Sequence, residues 1–406
     1  MGGLVADEQN SGVCFATKRE GTEQMIHLDT VDGIRQQVAG ARSKALKSSL
    51  GQFMTPSQTA HFMASLFTVV SGGSCHLLDA GAGIGSLTSA FLDRCAVGEL
   101  KFDSVDVSAF EIDATLHGHL RQVLSAYRQK IGAKSEIFGG DFIDLAVSSI
   151  QFRSGHRFTH AIMNPPYKKI NTASEHRALL RQVGVETVNL YSGFVALAVE
   201  LLQDGGELVA IIPRSFCNGP YYRPFREFLL ARATICHVHV FESRNKAFKE
   251  DDVLQETVIV RLRKGGMQGP VSVSVSEDDT FSDLETYVHP FERVVFPGDN
   301  QRFIHIPLAD AASALTIAGA TVAYSLEDLR IGVCTGPVVD FRLKEYLRMQ
   351  PEDGGVPLLY ANHLSGGGLV WPLESKKPNC IMVTGETRKW LMPNGTYTVI
   401  RRFSSK

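Results

Sequence analysis

The stretch LLDAGAGIGSLTSAF, residues 77–91, constrains the fold more than any other part of the chain. An apolar run ends at an acid, Asp79. Three glycines follow at alternate positions, Gly81, Gly83 and Gly85, and then a helical run begins. A buried strand, a turn that only glycine follows easily and a helix make one unit of a parallel α/β sheet. The glycines let the backbone pass close to a ligand at the carboxyl end of the strand. The spacing is G-x-G-x-G, not the G-x-G-x-x-G of dinucleotide folds, and the acid comes before the glycines. A carboxylate there suits a ligand bearing an ammonium group better than a pyrophosphate.

The pattern repeats on either side. Strands are expected at 76–80, 104–112, 135–140, 158–163, 206–213, 235–241 and 256–263, with helices near 85–95, 114–131, 188–203 and 222–232. Alternation of this kind predicts a mainly parallel sheet of seven strands with helices on both faces. The last two strands have no helix between them, so an antiparallel strand is expected at one edge. With 406 residues, 44% of them hydrophobic, the chain can bury more than one core. Residues 1–34 read as a flexible lead-in, 35–265 as the α/β domain, 266–320 as a connecting region and 321–406 as a second, mixed α/β region. A helix is expected within 34–56, ending near Gly51. The end, TYTVIRRFSSK, reads as a strand with nothing to cap it, as expected of a fragment truncated at its C-terminus.

The formal net charge of −2 gives no global sign of a polyanionic partner, although 321–406 carries eleven Lys and Arg against eight Asp and Glu. Seven cysteines at irregular spacing, without a C-x-x-C pair, argue for reduced thiols and against a zinc site. No apolar run reaches membrane-span length and no signal peptide precedes the first strand, so a cytoplasmic protein without a membrane partner is expected.

Further acids sit where successive strands end. Glu111 closes the second strand, placed to accept from a ribose diol. Asp141, in GGDF, is offered to an adenine amine, and Phe142 to the ring face. With Asp79 these describe a pocket for a nucleoside carrying a charged amino-acid tail, S-adenosylmethionine. Behind the strand FTHAIM stands NPPY, residues 164–167. Two prolines stiffen this loop and carry no N–H, leaving the Asn164 amide oxygen and the Pro165 carbonyl as acceptors with few competing donors. Paired acceptors draw a conjugated exocyclic amine toward tetrahedral geometry and free its lone pair for an electrophilic methyl. Tyr167 then offers a flat face to a base, the ring mattering more than the hydroxyl.

At these residues the chain resembles the gamma-class adenine-N6 DNA methyltransferases of type II restriction–modification systems. GQFMTP (51–56), DAGAGIG, FEID (110–113), GGDF and NPPY follow their motif order, and the resemblance runs over roughly residues 35–406. It implies a Rossmann-like class I methyltransferase sheet followed by a target-recognition region. The implied cofactor contacts are Phe53, Thr55, Pro56, Asp79, Gly81, Gly83, Glu111, Asp141 and Phe142. Asn164, Pro165 and Tyr167 would hold the base, with Phe248 closing the pocket edge-on and Phe241 as the alternative. No metal is implied. The partners would be double-stranded DNA and a separately encoded restriction endonuclease.

Other readings use the same residues. N-P-P-Y also serves methylation of glutamine side chains in release factors, and related loops serve rRNA amino groups. A non-catalytic DNA-binding subunit could keep the fold. His237 and His239 read as structural, KEDD (249–252) as a solvated loop, and Lys168 and Lys169 as solvated or phosphate-facing lysines. Trp371 and Trp390 read as core residues of the second region.

Overall fold

The computed structural model describes residues 26–41, 54–69, 71–154, 157–242, 256–308, 326, 328–365 and 367–399. The chain forms two compact units, Met1–Ile317 and Ala318–Lys406.

The first unit is built on a nine-stranded sheet ordered β3-β2-β1-β4-β5-β7-β6-β8-β9. Its strands are β1 Ser74–Ala80, β2 Ser104–Phe110, β3 Lys134–Phe138, β4 Phe158–Met163, β5 Leu202–Pro213, β6 Ala233–Phe241, β7 Thr257–Lys264, β8 Val271–Ser276 and β9 Glu285–His289. The helices are α1 Ile26–Ala41, α2 Ser57–Ser65, α3 Ser86–Ala96, α4 His117–Ile131, α5 Phe142–Phe152, α6 Glu175–Gln182, α7 Leu190–Leu201, α8 Arg223–Arg232 and a short α9, Phe291–Val294.

Strands β3 to β5 are all parallel, and both faces of the sheet are covered. Leu78, Met163 and Ala210 pack on one face with α5, α7 and α8, while their neighbours Leu77, Ile162 and Val209 pack on the other with α2, α3 and α4. Burial on both sides is why the central strands β4 and β5 end in continuous apolar runs, whereas β2, SVDVSAF, nearer the edge, alternates.

The structure departs from the expected sheet at the β6 edge. Strand β7 is antiparallel, as expected, but it lies between β5 and β6. Two further strands, from the segment expected to be a connector, extend the edge: β8 runs parallel to β6 and β9 antiparallel to β8. The link from β7 to β8 needs no helix because β7 runs downward and ends where β8 begins. Within it Gln268 takes the place of a strand, accepting from Ile235 N at 3.1 Å and donating to Ala233 O at 2.7 Å. Helix α1 begins at Ile26, inside the expected lead-in, and buries Val31.

In the second unit the described elements are a three-stranded antiparallel sheet, a two-stranded ladder and 3-10 turns. Residues 396–399, expected as a strand, are irregular. Trp371 is half-buried, its indole donating to Asn379 O at 2.7 Å, whereas Trp390 is exposed.

Candidate functional site

Strands β1 and β4 are parallel neighbours, with Asp79 in register with Ile162, and they lead to opposite sides of the sheet. A crevice opens beyond the carboxyl ends of such a pair. The glycine loop stands on one side of it and Asn164 on the other. Gly81 and Ala82 N–H groups both donate to Phe110 O at 2.9 Å, which ties the loop to the end of β2. Gly81 has φ +90°, and a Cβ there would sit 3.6 Å from the Asn164 carbonyl oxygen. Gly85, at φ +92°, is tighter: a Cβ would sit 3.0 Å from Leu120 Cδ1 and 3.4 Å from Val123 Cγ1.

The crevice holds a cavity of about 270 Å³. Of the expected residues, Thr55, Gly81, Gly83, Glu111, Asp141, Phe142 and Asn164 line it. Pro56, Asp79, Pro165 and Tyr167 do not. Phe53 and Phe248 lie outside the described residues. Phe241, the alternative to Phe248, is buried against His239 and Phe281 at ring distances of 4.7 and 5.8 Å, away from the cavity lining.

Glu111 is the best-anchored acid. It is 2% exposed, and its two oxygens accept from Gly83 N at 2.8 Å and Asp113 N at 2.7 Å. Each carboxylate oxygen has more than one acceptor site, so the group can still receive from a diol. Asp141 caps α5, accepting from Ile143 N at 2.8 Å, and its other oxygen meets His176 Nε2 at 2.9 Å. His176 itself lines the cavity and was not foreseen. It comes from the first turn of α6, capped by Ser174, and nothing in its sequence surroundings marks it.

Asp79 does not face the cavity. It is fully buried, accepts from the Thr88 hydroxyl of α3 at 2.6 Å, and its other oxygen has no partner among the described residues. Burial first, and the nearby Glu111 charge after it, push its carboxyl up to about 7. Strand alternation explains the placement: Asp79 shares the Leu77 face, under α3. It anchors the helix that carries the glycine loop, and the sequence-based expectation of an ammonium ligand is not met by this geometry.

The catalytic-type loop is pinned at its far end. Ile170 N donates to Val188 O at 2.9 Å and Leu190 N to Lys168 O at 2.8 Å, just before Asn189 caps α7. Lys168 lines the cavity, and both Lys168 and Lys169 are exposed. Within the loop Tyr167 turns inward. Its ring meets Tyr191 edge-on at 6.2 Å, and its hydroxyl lies 2.9 Å from Asn164 Oδ1 and 3.0 Å from Ile211 O. Burial pushes the phenol above its ordinary range, so it stays a donor. Asn164 Nδ2 donates to the Thr55 hydroxyl at 3.1 Å. The hydroxyl of Tyr167 therefore has a task that the ring-stacking expectation did not give it.

His237 and His239 are structural, as read: both meet Ser274 Oγ, at 2.7 and 2.8 Å, inside the sheet. The KEDD segment lies outside the described residues.

Residues 103–248 match the family model of the Eco57I restriction-modification methylases. The chain is 50% identical over 385 residues to the type II methyltransferase M.BsuBI of Bacillus subtilis, covering 93% of this chain and 76% of that protein. It is 40% identical over 385 residues to the type II methyltransferase M.PstI of Providencia stuartii, covering 93% and 75%. In fold it is similar to a modification subunit assigned to a type I restriction enzyme of Vibrio vulnificus YJ016, with a TM-score of 0.53 at 12% identity over 75% of this chain and 68% of that one. The identity to two type II enzymes over nearly the whole chain shows that this chain belongs to the type II DNA methyltransferases of restriction–modification systems.

Proposed function

We propose that the protein transfers a methyl group from S-adenosylmethionine to N6 of an adenine flipped out of duplex DNA, and so protects host DNA from a separately encoded restriction endonuclease. One observation carries the reading: the Asn164 amide shares a single cavity with the glycine loop and the buried carboxylate Glu111. This supports a reading in which a site for the methyl-accepting amine adjoins a nucleoside site at one switch point.

The residues present fit the cofactor. Glu111 keeps acceptor capacity for a ribose diol, and Phe110, Ile112, Leu116 and Phe142 supply apolar walls for a base. Bound there, the cofactor supplies an electrophilic methyl group. The protein's own contribution is positional and electrostatic. Asn164 Oδ1 and the Pro165 carbonyl accept the two N–H bonds of the target amine, and they stabilise the charge that grows on nitrogen. The amine edge is inaccessible inside a duplex, so the base must leave the stack.

The DNA reading is favoured over glutamine or rRNA methylation because the long matches are to type II methyltransferases. Digestion of DNA from cells expressing the protein, followed by nucleoside mass spectrometry, should yield N6-methyladenine and no methylcytosine. N4-methylcytosine in its place would overturn the base assignment. Transfer of label to release factor or rRNA but not to DNA would overturn the substrate. DNA binding without any transfer would leave only a binding subunit.

A further inference from the structure

Helix α6 lies in the stretch between NPPY and α7, and its neighbours hold it at three points. Leu180 is fully buried against α7, where Gly193 leaves it room: a Cβ there would come 2.9 Å from Leu180 Cδ1. Gln151 of α5 donates to Gln182 Oε1 at 2.9 Å. Arg177 donates from Nε to Glu186 at 2.7 Å, which ties the first turn to the segment that follows the helix. Ser174 caps that turn, accepting from Arg177 N at 3.3 Å. A short helix seated in this way presents His176 from a fixed base.

His176 lines the cavity, and its Nε2 lies 2.9 Å from Asp141 Oδ2. A carboxylate oxygen only accepts, so Nε2 is the donor. The other oxygen, Oδ1, accepts from Ile143 N at 2.8 Å. Asp141 is thus held at both oxygens, from two different helices, and its last torsion is fixed. Each oxygen has more than one acceptor site, so the group can still receive from a ligand. Glu111 and Asp141 are the carboxylates among the described residues of the cavity lining. With the ribose diol on Glu111, Asp141 is left for the amine of the base, next to Phe142 in its wall.

We propose that His176 is a positioning residue for the nucleoside end of the cofactor. By holding Asp141 Oδ2 it keeps the carboxylate turned to accept from an adenine amine. An acceptor fixed beforehand needs no ordering when the ligand arrives. It also rejects a base that carries a carbonyl in that place, because two acceptors then face each other and neither is satisfied. Without the imidazole, Oδ1 alone would hold the carboxylate, which could then turn about that single bond. The inference deepens the S-adenosylmethionine reading and rests on it.

The test compares His176→Leu, which removes the donor, with His176→Gln, whose Nε2 can still donate to Asp141. Calorimetry uses two probes: S-adenosylhomocysteine, and S-inosylhomocysteine, in which O6 accepts where the adenine amine donates. His176→Leu should weaken S-adenosylhomocysteine about tenfold and move S-inosylhomocysteine by less than about threefold, so that discrimination between them collapses. His176→Gln should keep both affinities within about threefold of the parent. In turnover, His176→Leu should raise KM for S-adenosylmethionine about tenfold and leave kcat at saturation within about threefold. Asp141→Asn combined with His176→Leu should lose less than the product of the two single losses, because both act on one acceptor. Equal weakening of the two probes by His176→Leu, failure of Gln to rescue, or a parent that binds both probes alike would each overturn the inference. A parent that binds neither probe would instead overturn the reading it rests on.

Discussion

At the scale of single residues, two acids at strand ends look alike in sequence and do different things. Glu111 stands one residue beyond β2, free of the strand's alternation, and reaches the cavity. Asp79 is the penultimate residue of β1, and the pleat turns it under α3. Glu111→Ala removes a buried, charge-assisted acceptor and also leaves the N–H groups of Gly83 and Asp113 without their partner. Calorimetry with S-adenosylhomocysteine should show a loss of about 1–3 kcal/mol. An affinity equal to the parent's would remove Glu111 from the site. Asp141, Phe142 and Asn164 were legible because motif order marks them. His176 was not, since a histidine in the first turn of a surface helix carries no signal until the fold brings it 2.9 Å from Asp141. The inward turn of Tyr167 was hidden for a similar reason, as its second partner is a backbone carbonyl of β5.

Elements show the same division between local and distant causes. The seven strands read from the sequence are all present, because their apolar runs are long and end in turn residues. Helix α5, FIDLAVSSIQF, escaped notice because β-branched, aromatic and serine residues obscure its period. Its cap at Asp141 and its buried face, Phe142, Ile143, Ala146 and Val147, are what make it a helix. Strand β8, VSVSVS, alternates plainly, but its place beside β6 depends on a chain path that no local pattern specifies. Helix α8 carries a further device that hydropathy would misread. Arg226 is fully buried, donating to Gln301 O at 3.0 and 2.8 Å, to Phe216 O at 2.9 Å and to Gly219 O at 2.8 Å. One planar fork thus fastens the loop after β5 and the segment near 301 to the same helix. Arg226→Met fills similar volume but strands three carbonyls, and should cost on the order of 3 kcal/mol in urea unfolding. Arg226→Lys should cost nearly as much, because a single ammonium cannot span the three acceptors. A loss under about 0.5 kcal/mol for either variant would show that water replaces the guanidinium.

On the scale of the whole molecule, the extension of the sheet through β9 moves the first unit's limit to residue 317, well beyond the expected end at 265. The added strands also complete a buried polar interior that sets how stability depends on pH. Burial lowers His160 and His237 to about 4 and His239 to about 3, although Glu207 opposes it at His160 while Arg261 reinforces it at His237. Their ordinary value is 6.5, so between about pH 4.5 and 6.5 the unfolded chain binds up to three protons that the folded chain refuses. Asp79, raised to about 7 from 3.8, works in the opposite sense, because there the folded chain holds a proton that the unfolded chain has released. Three against one leaves the unfolded state with the excess, and stability should climb with pH across this window. Above 6.5 the unfolded histidines go on releasing protons while Asp79 titrates near 7, the two contributions come to cancel, and the curve should level off between about pH 7 and 8. Urea midpoints at pH 4.5, 5.5, 6.5 and 8 would trace the curve. His239→Gln, which can still bond to Ser274, should flatten the acid limb by up to about 1.4 kcal/mol per pH unit, the equivalent of one proton. Asp79→Asn should steepen the same limb. A stability that falls as pH rises from 4.5 to 6.5 would mean that the histidines are charged in the folded sheet, and the neutral interior described here would be wrong.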